Sequence, residues 1–320
     1  MRLYSLLPLL LIPSLPLPFT IAHPSPIKRL NSNNSADADS QVLNFLLTLE
    51  HLERAFYLAA PQKYSAQGFV TAGYTISDYG RFRQMGVHEA SHVEFLESSL
   101  AAARMDRVQP CVYSFPDNDP KLFVAASLML ENVVASAYNA ALAYIKDKAY
   151  LAAAASIFGV ESRHASFVSG VPLASNPWNT AYETPLSMNQ ILTLISLYTQ
   201  QCPASNAALL PASLQAFPQL TIDTHPTPSQ SINLTFAPPA EPLSEAESLF
   251  VAWISGMGVV VTQVEGEGQL TTQVPADMAD RGAVYVLVVR GSKDMSNLRM
   301  DDASTVAGPA FVVFPFGGDA

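Results

Sequence analysis

The hydrophobic and polar pattern divides the chain into a helical half and a β-prone remainder. Long apolar segments bounded by caps and breakers come first. Asp39 or Ser40 caps a helix to about Ala60, which Pro61 is expected to stop. Residues 61–76, with Gly68 and Gly73, read as a loop. A second helix runs from about Ser77 to Arg104, and a loop with Pro110 and Pro116 follows. Asp119-Pro120 is an N-cap with proline at the first helical position, and it starts a third helix reaching about Asp147. A fourth runs from about Ala149 to Ser169 and ends at Gly170. Residues 171–186 are irregular, and Ser187 caps a shorter fifth helix to about Gln201.

Residues 203–229 are rich in proline and small residues and read as a linker. Beyond them the character changes. Runs at 232–236, 250–254, 258–262, 284–289 and 311–314 alternate with Gly/Pro/Asp turns, as in a small β-sandwich. The expected fold class is α+β multidomain: a four-helix bundle with an extra C-terminal helix over 39–202, then a sandwich domain over 230–320.

The N-terminus changes the expected compartment. Met1-Arg2 followed by an apolar stretch to Ala22 reads as a signal peptide over 1–22, whose four prolines argue against a stable spanning helix. A flexible pro-segment over 23–38 contains the dibasic Lys28-Arg29. Glycosylation sequons stand at Asn33 and Asn233. No second hydrophobic span is evident, so the product is expected to be soluble, secreted or held in a cell wall, and free of the membrane once the leader is cleaved. Cys111 and Cys202 are too few for a disulfide scaffold and are not spaced as a zinc site. As the only cysteines of a secreted chain they are expected to pair. The net charge is −10 and no basic stripe exists, which argues against nucleic acid.

The candidate chemistry lies in two Glu-x-x-His units, Glu89/His92 and Glu161/His164. A glutamate and a histidine three apart leave one helix face a turn apart and can close on one ion. Thirteen Glu and six His in 320 residues would give about a quarter of one such pair by chance. Each unit continues to a phenylalanine at the same offset, Phe95 and Phe167. Two more glutamates, Glu50 and Glu131, each follow a leucine and have a tyrosine seven residues on, Tyr57 and Tyr138. The order Glu, ExxH, Glu, ExxH is the ligand set of a di-metal carboxylate site in a helix bundle. Glu50, Glu89, His92, Glu131, Glu161 and His164 are therefore the expected ligands of two metal ions, with four carboxylate charges balancing two divalent cations. Tyr57 and Tyr138 would hydrogen-bond to ligands. Glu53 could stand in for Glu50; the repeated tyrosine spacing favours Glu50 and leaves Glu53 behind the ligands. His51 and His88 are expected to support the site or lie on the surface. No GxSxG, P-loop or GxGxxG offers a competing chemistry.

The segment Leu49-Glu50-His51-Leu52-Glu53-Arg54-Ala55-Phe56-Tyr57 resembles the opening helix of ferritin-like proteins secreted by fungi, of the stress- or starvation-responsive and sexual-development kind. These are similar to plant desiccation-related proteins. His88-Glu89-Ala90-Ser91-His92 and Glu161-Ser162-Arg163-His164 resemble the same family's second and fourth helices, and Val306-Ala307-Gly308-Pro309-Ala310 the close of its β-rich tail. The resemblance spans about 40–315 and implies a ferritin-like bundle with two iron or manganese ions. Two functions follow as expectations. One is a redox enzyme, catalase-like or an oxidase, acting on a small oxidant such as peroxide or dioxygen. The other is a non-enzymatic cell-surface or matrix protein with a structural or vestigial metal site. Its C-terminal domain would meet a cell-wall polymer or a protein partner.

Overall fold

The structure is a computed structural model and describes residues 35–316, apart from residues 224, 240, 267 and 297. The leader, nearly all of the pro-segment, Lys28-Arg29 and Asn33 lie outside the described residues. Six helices come in order: α1 (Ser35–Lys63), α2 (Ala66–Thr71), α3 (Ile76–Ala102), α4 (Pro120–Ala141), α5 (Lys148–Gly170) and α6 (Met188–Ile195). α1 packs on α3 and α4 on α5 to make a four-helix bundle, and α6 lies against α4.

The starts of these helices follow local chemistry. Thr75 and Asp78 close a capping box on α3, as Ser187 and Gln190 do on α6. Asp119 accepts the backbone N–H groups of Lys121 and Leu122 ahead of Pro120, and Asp147 accepts those of Ala149 and Tyr150.

Several boundaries differ from the sequence reading. α1 passes through Pro61 to Lys63; so near the end of a helix the ring forfeits one hydrogen bond and little else. Asp39 sits inside α1 instead of capping it. Its carboxylate accepts the N–H groups of Lys146 and Asp147 at 2.7 and 2.8 Å and so fixes the turn between α4 and α5. The expected loop 61–76 contains α2, capped by Ser65 and anchored by buried Phe69. Six residues are too few to show a period. The fifth helix stops at Ile195, and the chain enters β2 (Thr199–Gln201), which pairs with β1 (Val112–Tyr113). The disulfide Cys111–Cys202 adjoins this pair, with Cα atoms 4.2 Å apart.

The C-terminal half is an antiparallel sheet domain, so the chain is mixed α+β. β5 (Glu247–Ser255), β6 (Gly258–Gln263), β8 (Gly282–Ser292) and β9 (Thr305–Phe314) form one sheet in the order β6-β5-β8-β9. β3 (Thr221–Ile222), β4 (Ser231–Thr235) and β7 (Leu270–Gln273) form another in the order β3-β4-β7. Alternate residues of β5 and β8 go to different cores. Phe250, Ala252, Ile254, Tyr285, Leu287 and Val289 join the core of the bundle. Val251, Trp253, Val284, Val286 and Val288 pack with Ile232 and Leu234 of the smaller sheet. The larger sheet is thus a middle layer buried on both faces, and its strands read as continuous apolar runs.

Polar ties fix the layers. Ser136 on α4 meets the Tyr285 hydroxyl at 2.9 Å, and Asp302 accepts from Ser187 and Asn189. Asn179 accepts the Ala283 N–H at 2.8 Å. Gly282 beside it has φ +65, and a Cβ there would lie 2.5 Å from Asn179 Oδ1. Within residues 203–229, read as a linker, the N–H groups of Gln215 and Phe217 bond to Asn189 and Thr193 of α6, Asn206 bonds to Gln109, and Thr221–Ile222 form β3. α4 is long and apolar enough to cross a membrane by composition, yet it is the buried core helix of the bundle.

Candidate metal centre

The four bundle helices bring seven ionisable side chains together. α1 supplies Glu50 and Glu53, α3 Glu89 and His92, α4 Glu131, and α5 Glu161 and His164. All five glutamates are 0% exposed. α1 and α3 approach closely because residue 86 is glycine: a Cβ there would sit 3.1 Å from the Cβ of Tyr57.

The six expected ligands converge as two overlapping groups that share two carboxylates. One contains Glu50, Glu89, His92 and Glu161, the other Glu89, Glu131, Glu161 and His164. Within each group one ligand atom per residue lies within 4.8 Å of the others. His92 Nδ1 lies 3.3 Å from Glu50 Oε2, 3.0 Å from Glu89 Oε2 and 3.0 Å from Glu161 Oε1. His164 Nδ1 lies 3.1 Å from Glu89 Oε1, 3.3 Å from Glu131 Oε2 and 3.8 Å from Glu161 Oε2. Glu89 and Glu161 each turn one oxygen to either histidine, while Glu50 and Glu131 each serve one.

The tyrosines cross over. Tyr138, on the helix of Glu131, donates to Glu50 Oε1 at 2.5 Å. Tyr57, on the helix of Glu50, donates to Glu131 Oε1 and meets the Ser127 hydroxyl. Each hydroxyl takes one carboxylate oxygen and leaves Oε2 facing the histidine. The sequence spacing indicated tyrosines beneath the glutamates but not this exchange between helices.

Glu53 departs from its expected supporting position. It hydrogen-bonds to no ligand: both of its oxygens are buried without a hydrogen-bond partner. The charges of Glu161, Glu131, Glu89 and Glu50 all bear on it. His51 points away from the centre, buried, with Nε2 3.9 Å from Glu97. His88 is half-buried, and its Nδ1 lies 2.9 Å from Nε2 of His164. The sequence suggests a supporting or surface position for His88 but does not indicate His164 as its partner. Asn233 is exposed on β4.

Electrostatics set the protonation of the metal-free chain. Burial raises Glu50 to about 7 against the lowering effect of His92. Burial, then neighbouring carboxylates, push Glu53 and Glu161 well above the usual range, and burial raises Glu131. Burial acts on Glu89 too, but the approach of His164 and His92 outweighs it and leaves that carboxyl lowered. Burial disfavours charge on both histidines, yet the surrounding glutamates overcome it. His164 rises to about 11, and His92 is held well above the imidazole range. The surrounding glutamates thus favour the charged form of both imidazoles in the metal-free chain.

The donor set fits bound metal. Glu50 Oε2, Glu89 Oε1, Glu131 Oε2, both Glu161 oxygens and His164 Nδ1 are buried without hydrogen-bond partners. Such atoms are costly to leave unsatisfied. They crowd to 3.0–3.8 Å of a histidine nitrogen. That is the arrangement of atoms aimed at common points, and carboxylate oxygens with imidazole nitrogen are donors that could hold a metal ion. Residues 38–172 match the family model for a ferritin-like domain. No curated protein matches the chain. The molecule is therefore a helical ferritin-like domain, with buried Glu/His groups that can bind metal, followed by an antiparallel sheet domain.

Proposed function

We propose that this chain is a secreted di-metal carboxylate protein that holds two iron or manganese ions and acts on peroxide or dioxygen. One observation carries the reading: six buried donor atoms from Glu50, Glu89, Glu131, Glu161 and His164 converge without hydrogen-bond partners. Glu89 and Glu161 would bridge, Glu50 with His92 would complete one position, and Glu131 with His164 the other. Bound there, the metal pair would supply two-electron redox chemistry toward a small oxidant. The protein's own contribution is placement. Tyr138 and Tyr57 donate to one oxygen of each terminal glutamate and orient the other inward. Leu46, Leu49, Val134 and Phe123 are fully buried in the same core, which keeps bulk water away. Glu53 is a fifth carboxyl in the cluster, and burial followed by the neighbouring carboxylates raises it well above the usual range.

Secretion is supported by the disulfide, which persists in oxidising compartments, and by the leader-like N-terminus. A glycan at Asn233 fits its exposed side chain. The larger sheet is covered on both faces, so a wall polymer or protein partner would have to meet the outer surface of the smaller sheet or the loops. The kinship with fungal stress and development proteins and plant desiccation-related proteins belongs to this proposal and rests on the motifs quoted above. Metal content of the purified protein, followed by turnover of hydrogen peroxide and uptake of dioxygen by the loaded form, tests it. Bound metal with turnover of either oxidant supports the redox reading. Bound metal without turnover moves the protein to the non-enzymatic alternative, and a chain that takes up no metal refutes the centre.

A further inference from the structure

The two histidines are equivalent by motif but not by surroundings. Residue 88, before Glu89, is histidine; the matching residue before Glu161 is Val160. His88 Nδ1 lies 2.9 Å from His164 Nε2, with the two ring planes within 7°. His92 meets Glu50, Glu89 and Glu161 through Nδ1. Nothing comparable backs its other nitrogen among the described residues.

An imidazole that gives the lone pair of Nδ1 to an ion carries its hydrogen on Nε2. For His164 that hydrogen points to His88, whose Nδ1 must then accept. The bond fixes which His164 nitrogen faces Glu89 and Glu131, and it fixes the ring's rotation. A cavity of about 200 Å³ lies at this place, lined by Arg81, Gln84, Met85, His88, His164 and Phe167. Without the His88 ring that acceptor is lost: Gln84 Oε1 in the same cavity already accepts from Arg81 at 2.8 Å, and the His164 ring loses the bond that sets its rotation.

We propose that His88 is a positioning residue for the metal position of Glu131 and His164, and that it makes this position the tighter of the two. The proposal rests on the di-metal reading above. Removing a partner of a ligating histidine typically weakens metal binding by about 10–100-fold. The position of Glu50 and His92, which has no such support, keeps its affinity.

The test is Mn²⁺ titration of the full chain, with free ion followed by electron paramagnetic resonance. The variants are His88→Phe, which keeps a ring but removes the acceptor, and His88→Asn, whose side-chain oxygen can accept near the place of Nδ1. Circular dichroism checks that each is folded. The expected result is two ions bound to the parent in two resolved steps. In His88→Phe the tighter step weakens by about 10–100-fold while the other is unchanged, and His88→Asn restores most of the loss. Equal affinities in His88→Phe and the parent overturn the proposal, as does equal weakening of both steps or no rescue by asparagine. A parent chain that binds no ion overturns this proposal and the di-metal reading together; two ions with no effect of His88 leave the di-metal reading standing and remove only this inference.

Discussion

The bundle and the sandwich are both dry inside, but they are filled differently. Behind β5 and β8 the interior is Val251, Trp253, Val284, Val286 and Val288, with no charge to satisfy. Between α1, α3, α4 and α5 it includes five glutamates at 0% exposure. A core built only for stability would not keep such groups, because each buried charge must be paired, protonated or bound to metal. The contrast teaches that the bundle interior is shaped for a ligand and the sandwich interior for support. It also makes mutations behave differently in the two places.

The largest effect is expected in the sandwich. Trp253→Ala removes a side chain that is 1% exposed, and the loss should be about 3–5 kcal/mol. Denaturant unfolding with and without metal measures it. The contrast predicts the same loss in both conditions; a loss confined to the loaded protein would mean that the two regions are not separable. Cys111→Ser comes next, at about 2–4 kcal/mol, since the bond constrains a long stretch of the unfolded chain. Reduction of the parent should reproduce that shift in melting temperature without changing metal stoichiometry.

In the bundle the sign should reverse. Glu161→Gln replaces a carboxyl that burial, and then its neighbouring carboxylates, push well above the usual range. It should stabilise the metal-free protein near neutral pH and abolish tight metal binding. Glu50 titrates from 4.5 when unfolded to about 7 when folded. Between those values the folded chain keeps a proton that the unfolded chain has released, so this contribution is complete below 4.5 and lost as pH rises through 7. His164, raised to about 11, acts in the same direction above its usual 6.5. The metal-free parent should therefore melt lower at pH 8 than at pH 5, and saturating metal should remove that decline. A rising profile for the metal-free protein would show that the carboxyls are not held protonated. The smallest effect is Tyr138→Phe. Losing the hydrogen bond to Glu50 should cost about 1 kcal/mol and weaken metal binding, read by the same titration and melts.

What the sequence disclosed follows from what repeats. The ExxH units and the Glu…Tyr spacing are periodic within single helices, so they pointed to side chains on shared faces before any packing was known. The exchange of Tyr57 and Tyr138 between the two terminal glutamates was not legible, since it depends on how α1 and α4 lie side by side. The burial of Glu53 was hidden for the same reason: spacing alone cannot tell a side chain beneath the ligands from one among them. Asp39 looked like a cap because its partners, Lys146 and Asp147, are distant in sequence. The strands of the larger sheet were found by their β-prone runs. Their burial on both faces became visible only when the bundle was placed against Phe250 and Tyr285. The segment over 203–229 has the composition of a tether, and bonds from the N–H groups of Gln215 and Phe217 to Asn189 and Thr193 tie its middle to α6 instead.

The most direct test of the central claim is the metal content of the full chain after loading with Mn²⁺ or Fe²⁺ and removal of free ion. The parent is compared with Glu89→Gln and Glu161→Gln, which each remove a carboxylate shared by both groups. The account predicts two ions per chain in the parent and fewer than one in either variant, with helical circular dichroism retained. A parent without metal, or variants that keep both ions, would contradict it.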